Sequence, residues 1–386
     1  MRIAISATRQ AHYRLSANSF ARRGHGVTMY SSTPADRFRG FDASLRYRFV
    51  PAPAMLFNAL TRIRTPVVVD ELDAITYDRL VALRLKECDL FLGGASGSLY
   101  TGKAAQRLGA TFVLDRACPD IRFQQAMMME EARKAGGVFR SHAPWFIERQ
   151  VEEYERADLI LTPSDYSRRS FPDHIRAKTV LAPLLGRARI APRRRKPEGS
   201  PFVVGVVGGE PLRKGYLYLL QAWKRLALPN ARLKIRSGPG YRRFPALAKL
   251  VAEQPSVSVI SYVPDISDFY AECDVFILPS VDDGFGMALF EALANGVPSV
   301  TTHNTGASEL LTAGRDAIVI DPFNTQQIVD SIRMLYESED ARERFGVNGQ
   351  AAVQALMDGD QARPYENGID RLLAAQASLA EVAKGV

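Results

Sequence analysis

The chain has 386 residues, 46% of them hydrophobic and 24% charged, with a net charge of +8. That length predicts two domains, and the composition is ordinary for a globular protein. No apolar run reaches the roughly 18 residues that span a bilayer, and the opening MRIAISATRQ is strand-like and unlike a secretory signal, so a cytoplasmic protein is expected.

Strand and helix patterns alternate from the first residues. RIAIS (2–6) reads as a strand, followed by a helix to about Arg23 and a strand GVTMY (26–30). DLFLGG (89–94), TFVLD (111–115) and DLILTPS (158–164) are further apolar runs, with helical patterns at 71–87 and 145–157 between them. Such alternation predicts a parallel sheet covered on both faces. GRARIAPRRRKPEGSP (186–201) then breaks the pattern with Pro, Gly and a charge run, and reads as a linker.

After it the pattern restarts. Strands are predicted at 201–209, 231–238, 257–263, 275–280, 298–303 and 317–321, with helices between them, giving a second doubly wound unit. The last helical stretches, 325–338, 338–356 and 362–383, have no strands between them, so the terminal one is expected to cross back onto the first unit. The expected organisation is residues 1–186 as a first Rossmann-like domain, joined by 362–386, with 187–200 as linker and 201–361 as the second domain.

Cys88, Cys118 and Cys273 are widely spaced and lack CxxC pairing, so they read as buried, reduced thiols. Basic residues cluster at Arg37, Arg39, Arg46 and Arg48 and again in 186–196. No nucleic-acid motif accompanies them, and aromatic residues do not interleave with the charges, so no nucleic-acid partner is expected. A solvated surface is one reading. Attraction to an anionic membrane face or a polyanionic acceptor is the other.

The most informative stretch is DDGFGMALFEALANGVP (282–298). A strand enters an acidic, Gly-rich turn that opens directly into a helix. Gly284 and Gly286 allow close backbone approach, and the helix start adds partial positive charge, which suits an anion. Asp283 and Glu291 add two carboxylates, which suit hydroxyls. Phosphate and polyol together suggest a nucleotide sugar. VVGGEPLRKG (206–215) adds Arg213 and Lys214 at another helix start, fit for a diphosphate. SGPG (237–240), SYVPD (261–265) and THNTGASE (302–309) fall on the same predicted sheet edge.

RKG (213–215), the run from 261 to 300 and TGASELL (305–311) resemble the nucleotide-sugar domain of the family 4, or group 1, retaining glycosyltransferases, whose E-x7-E signature maps onto Asp283 through Glu291. Weaker likenesses lie at 21–34, 114–136 and 157–171. The resemblance implies a GT-B fold of two Rossmann-like domains facing across a cleft. It also implies metal-independent transfer of a hexose from a UDP- or GDP-sugar, the donor being a substrate and no cofactor being required. Lys214 and Arg213 would grip the diphosphate, Glu291 the ribose and Asp283 the sugar. The backbone of Gly209, Gly284, Phe285, Gly286 and Met287 would meet sugar and phosphate, and Gly238 with Tyr262 and Val263 would flank the base.

This sequence departs from the family with Asp at 283, where Glu is usual, and with no Gly–Gly loop after the first strand. The acceptor-side candidates are therefore guesses: Asp120, Arg116 and His12, with His142 as a further candidate base. The expected acceptor is a glycan or a lipid-linked sugar in polysaccharide or glycoconjugate synthesis of a bacterial type, with peripheral contact to the inner membrane face. A sugar-nucleotide epimerase of the same plan and a catalytically silent scaffold are the alternatives.

Overall fold

The computed structural model describes residues 1–8, 13–34, 41–51, 67–184, 189–193, 196–197, 199–261, 263, 265–358 and 364–384. Two parallel sheets organise it. The first contains β1 (Arg2–Ala7), β2 (Gly26–Ser31), β3 (Arg46–Phe49), β4 (Leu90–Gly94), β5 (Thr111–Asp115), β6 (Leu159–Thr162) and β7 (Thr179–Leu181), in the order β3-β2-β1-β4-β5-β6-β7. The second contains β8 (Phe202–Val207), β9 (Ala231–Arg236), β10 (Val257–Ile260), β11 (Val275–Leu278), β12 (Ser299–Thr302) and β13 (Ile318–Ile320), in the order β10-β9-β8-β11-β12-β13. Both sheets are doubly wound, and each reverses its strand order beside its first strand, between β1 and β4 and between β8 and β11. Ligands of such sheets bind outside the carboxyl ends of the strands at that point.

The central strands read as unbroken apolar runs because helices cover both faces. All four residues of β11, VFIL, are buried, as are all four of β6, LILT. β3 is different. It is an edge strand, RYRF, that exposes Arg46, Arg48 and Phe49. Charge on an edge discourages pairing with another chain.

The helix Thr325–Glu337 packs on the second domain, and Glu339–Asp358 lies against the helix Met287–Ala294 of the same domain. The last helix, Pro364–Lys384, crosses to the first domain and touches β6, β7 and the helix Tyr13–Arg22. Ile369 and Leu372 are fully buried there. Arg23 donates to Asp370 at 2.8 and 2.9 Å, and Arg371 donates to the Leu181 carbonyl at 2.6 Å.

The helix Ile121–Lys134 bridges the domains. It starts at the carboxyl end of β5, yet its Met128 and Ala132, with the following Ala135, join the apolar core of the second domain. Tyr218 donates to its Glu131 at 3.0 Å, and the Ala246 N–H donates to the Ala135 carbonyl at 3.1 Å.

Candidate functional site

The site grows from the loops that leave β8 and β11. β8 ends at Gly208 and Gly209. A Cβ on Gly208 would stand 2.6 Å from the Lys214 Cγ, so the bare glycine gives the lysine stem room to lie across the strand end. Gly215 has φ of 66°, and a Cβ there would meet the Pro279 carbonyl oxygen at 1.9 Å. Glycine alone satisfies both demands. The helix Tyr216–Leu226 therefore starts hard against the end of β11, with Arg213 and Lys214 at its entrance. The Arg213 carbonyl accepts the Val281 N–H at 2.8 Å, tying the two loops together.

The acidic doublet divides. The Asp283 carboxylate pairs directly with the Lys214 ammonium. Asp282 is fully buried and pairs with Arg213 Nε at 3.2 Å. It also accepts from Gln124 Nε2 at 2.7 Å and from the Tyr166 hydroxyl at 3.0 Å, both on the first domain. Asp282 is thus an interdomain tie, while Asp283 stays with the loop cations. Burial alone would raise the Asp283 carboxyl, but Lys214 and Arg213 outweigh it and hold it below the ordinary carboxylate range. Burial would lower the Arg213 guanidinium, and Cys118, Asp282 and Asp283 outweigh that in turn and raise it.

Glu291 is on the helix Met287–Ala294 and receives the Tyr270 hydroxyl at 2.9 Å. Burial and the Glu291 charge both push that phenol well above its ordinary value. Gly209 and Gly238 have open space where a Cβ would point, so backbone is presented there. Val263 is partly buried against the core. Tyr262 and His12 lie outside the described residues.

Gly284 departs from expectation. Its carbonyl accepts from Ser164 Oγ at 2.6 Å, and a Cβ on it would strike the Ala117 carbonyl oxygen at 2.2 Å. It is glycine because the first domain presses on it, and its carbonyl belongs to the domain contact. Phe285 is buried with its ring stacked on Phe290 at 5.5 Å, and the Asp283 carboxylate takes its N–H. Gly286 precedes the helix with φ of 87°, and Met287 is the first helical residue.

The acceptor-side guesses fare differently again. Asp120 caps the helix Ile121–Lys134, accepts the Arg122 N–H at 2.7 Å and binds the Arg122 side chain. The Arg116 guanidinium is buried and donates to the Pro119 carbonyl at 2.8 and 2.9 Å and to Gln150 Oε1 at 3.3 Å. Both are spent inside the first domain.

Several participants escaped the sequence reading. Glu309 accepts the Asp165 and Tyr166 N–H groups at 2.7 and 2.6 Å across the domain contact. Ser164, Gln124 and Tyr166 act there too. Their segments carried a resemblance, and Asp282 stood out as half of an acidic pair, but none of these residues was assigned this contact.

Residues 188–352 match the family model described as Glycosyl transferases group 1. A capsular polysaccharide biosynthesis glycosyltransferase, CapM, from Staphylococcus aureus is 29% identical over 157 residues, which cover 40% of this chain and 41% of that protein. The chain spans less than half the length of the curated relatives it matches. Among solved structures, sucrose-phosphate synthase from Thermosynechococcus elongatus superposes with a TM-score of 0.71 at 17% identity, covering 97% of this chain and 99% of that one. Anabaena HepE in complex with UDP-glucose gives 0.63 at 15% identity, with both chains wholly covered. These two likenesses concern the fold, which is of the GT-B type. The match to group 1 of the glycosyl transferases covers residues 188–352, which make up most of the second unit of this chain.

Proposed function

We propose that the protein transfers a hexose from a UDP- or GDP-linked donor to a hydroxyl of a glycan or lipid-linked acceptor, with retention and without a metal ion, in polysaccharide or glycoconjugate synthesis. One observation carries this reading: the Lys214–Asp283 pair, on the domain that matches the group 1 model, stands where the second sheet reverses its strand order. A donor brings partners for both halves of that pair. Its diphosphate takes Lys214 and Arg213, and its sugar hydroxyls take the released Asp283. The Glu291 carboxylate, already oriented by Tyr270, takes the ribose hydroxyls.

During transfer the anomeric carbon exchanges its bond to the diphosphate oxygen for one to the acceptor hydroxyl oxygen; the electrons of the broken bond stay on the leaving phosphate, which takes up the hydroxyl proton. Cations preorganised at that phosphate stabilise the developing charge. The UDP-glucose complex of the HepE fold relative supports a nucleotide-sugar donor, and the name of CapM supports a polysaccharide role.

A cytoplasmic protein with peripheral membrane contact is part of the proposal. No described helix is long and apolar enough to cross a membrane. The exposed Arg46, Arg48 and Phe49 of edge strand β3 supply the basic and apolar groups that an anionic surface attracts. Flotation with phosphatidylglycerol vesicles should depend on salt and on both arginines, and salt-independent behaviour removes this part.

Calorimetry with UDP-glucose and GDP-mannose tests the core of the reading. Binding of at least one donor is expected, and neither binding overturns it. Binding without transfer to any acceptor favours a silent scaffold, and interconversion of the donor sugar favours an epimerase.

A further inference from the structure

Glu71 is 1% exposed, and its carboxylate is only half used. Oε1 meets His142 Nδ1 at 2.8 Å and accepts the Ala143 N–H at 3.2 Å. Oε2 is buried with no hydrogen-bond partner among the described residues. A buried carboxylate oxygen without a partner is costly, and such groups persist where function asks for them. The His142 side chain is 34% exposed. With Nδ1 on a buried carboxylate, the ring is fixed in orientation and Nε2 is the ring nitrogen left for a further partner. Carboxylates orient histidines in this way where the other ring nitrogen must meet a ligand.

The pair sits close to the donor loops. The His142 N–H donates to Gln125 Oε1 at 3.2 Å, and the neighbouring Gln124 holds Asp282. Glu71 lies in the first turns of the helix Val67–Ala82, and His142 lies just before the helix Pro144–Arg156. Both helices lead into strands of the first sheet, β4 and β6, and so begin on the side of its carboxyl edge. Beside them, Phe146 packs on His142 at 5.2 Å and on Trp145 at 5.5 Å, and Trp145 is 41% exposed. An exposed indole next to an oriented imidazole matches a pyranose or cyclitol, which has an apolar ring face and hydroxyl edges.

We propose that His142, positioned by Glu71 and flanked by Trp145, binds a hydroxyl of a sugar or polyol acceptor. This rests on the transferase reading. It assigns the acceptor side to residues other than Asp120 and Arg116, whose groups are engaged within the first domain.

The test uses the full chain, with myo-inositol, glucose and octyl β-glucoside as acceptor probes and UDP-glucose or GDP-mannose as donor, whichever binds. Trp145 and Trp223 are the only tryptophans, and Trp223 is 5% exposed, so changes in indole emission report on Trp145. At least one probe should alter that emission. His142→Ala should weaken the response and raise the acceptor KM about tenfold to a hundredfold, as loss of an oriented hydrogen bond does. Donor affinity should hold, while Tm falls because the buried Glu71 loses its side-chain partner.

Glu71→Gln keeps Oε1 as an acceptor and tests positioning. It should raise the acceptor KM by a smaller factor at unchanged donor affinity. An acceptor KM unmoved by both substitutions, or no emission response to any probe, overturns the proposal while leaving the donor site intact. No donor binding in the wild type overturns the transferase reading and this proposal with it.

Discussion

The two sheets share a strand order and differ in what their carboxyl edges do. On the first, charge is consumed internally. Arg149 binds Asp78 and Glu153, with 7% of the arginine side chain exposed and neither carboxylate accessible. Glu153 in turn accepts the Ser96 and Ser98 N–H groups at 2.7 and 2.9 Å, and Asp78 accepts those of Tyr100 and Thr101 at 2.8 and 2.9 Å. On the second, Lys214 and Asp283 are each other's partners across two loops, and in the proposed function both are exchanged for a ligand's phosphate and hydroxyls. One topology thus carries two kinds of charge network, one that fixes loops and one that the proposed function trades for a ligand, and function is to be argued from the loops and not from the fold.

The comparison breaks most visibly at Arg149. Arg149→Ala leaves two buried carboxylates unpaired and should cost about 3–5 kcal/mol of stability. Thermal unfolding reads it, and a loss under 1 kcal/mol would make the first network dispensable. Lys214→Ala should do the reverse. Its Tm should fall less, because Arg213 still faces the Asp283 carboxylate, while kcat/KM falls roughly a hundredfold to a thousandfold, as loss of one charge-stabilising donor does. Comparable turnover in that variant removes the diphosphate role. Glu291→Gln should be milder than either, weakening donor binding about tenfold by calorimetry with kcat nearly kept.

Most of the frame was legible in the sequence because buried parallel strands are apolar runs punctuated by Gly and polar residues. β11 and β12 and the last three helices fall within two residues of their predicted limits. β3 was hidden because an edge strand reading RYRF looks like a basic surface, and β7 because three residues carry no period. The Gly-rich loops and their charges were visible too. What they would touch was not. Lys214 and Asp283 are 69 residues apart, and only the switch in strand order brings them together. Gly284 is glycine because another domain presses on it, and no local pattern records that. Glu71 and His142 belong to two helices whose proximity is likewise a property of the packed domain.

Acid sharpens the contrast by a smaller amount. The Asp283 carboxyl is depressed in the folded protein, so its stabilising contribution is complete above its unfolded pKa and disappears as pH falls through the lowered folded value. Wild-type stability should therefore lose an increment below roughly pH 4 that the Asp283→Asn variant never had. Parallel curves for the two proteins would mean that the pair is neutral to folding.

The smallest effect concerns the seam where the two edges meet. Burial pushes the Cys88 thiol up to about 11 and the Cys273 thiol up to about 12, so neither should react with a maleimide near neutral pH. Cys118 is partly exposed, and its Cα lies 3.0 Å from where a Cβ on Gly284 would sit. Gly284→Ala must push the loop after β11 away from the loop after β5. That should speed Cys118 labelling severalfold, detected by mass spectrometry, while Cys88 and Cys273 stay unlabelled. Equal Cys118 rates in the two proteins would show that the seam yields without opening, and that Gly284 is not what holds the trading edge against the fixed one.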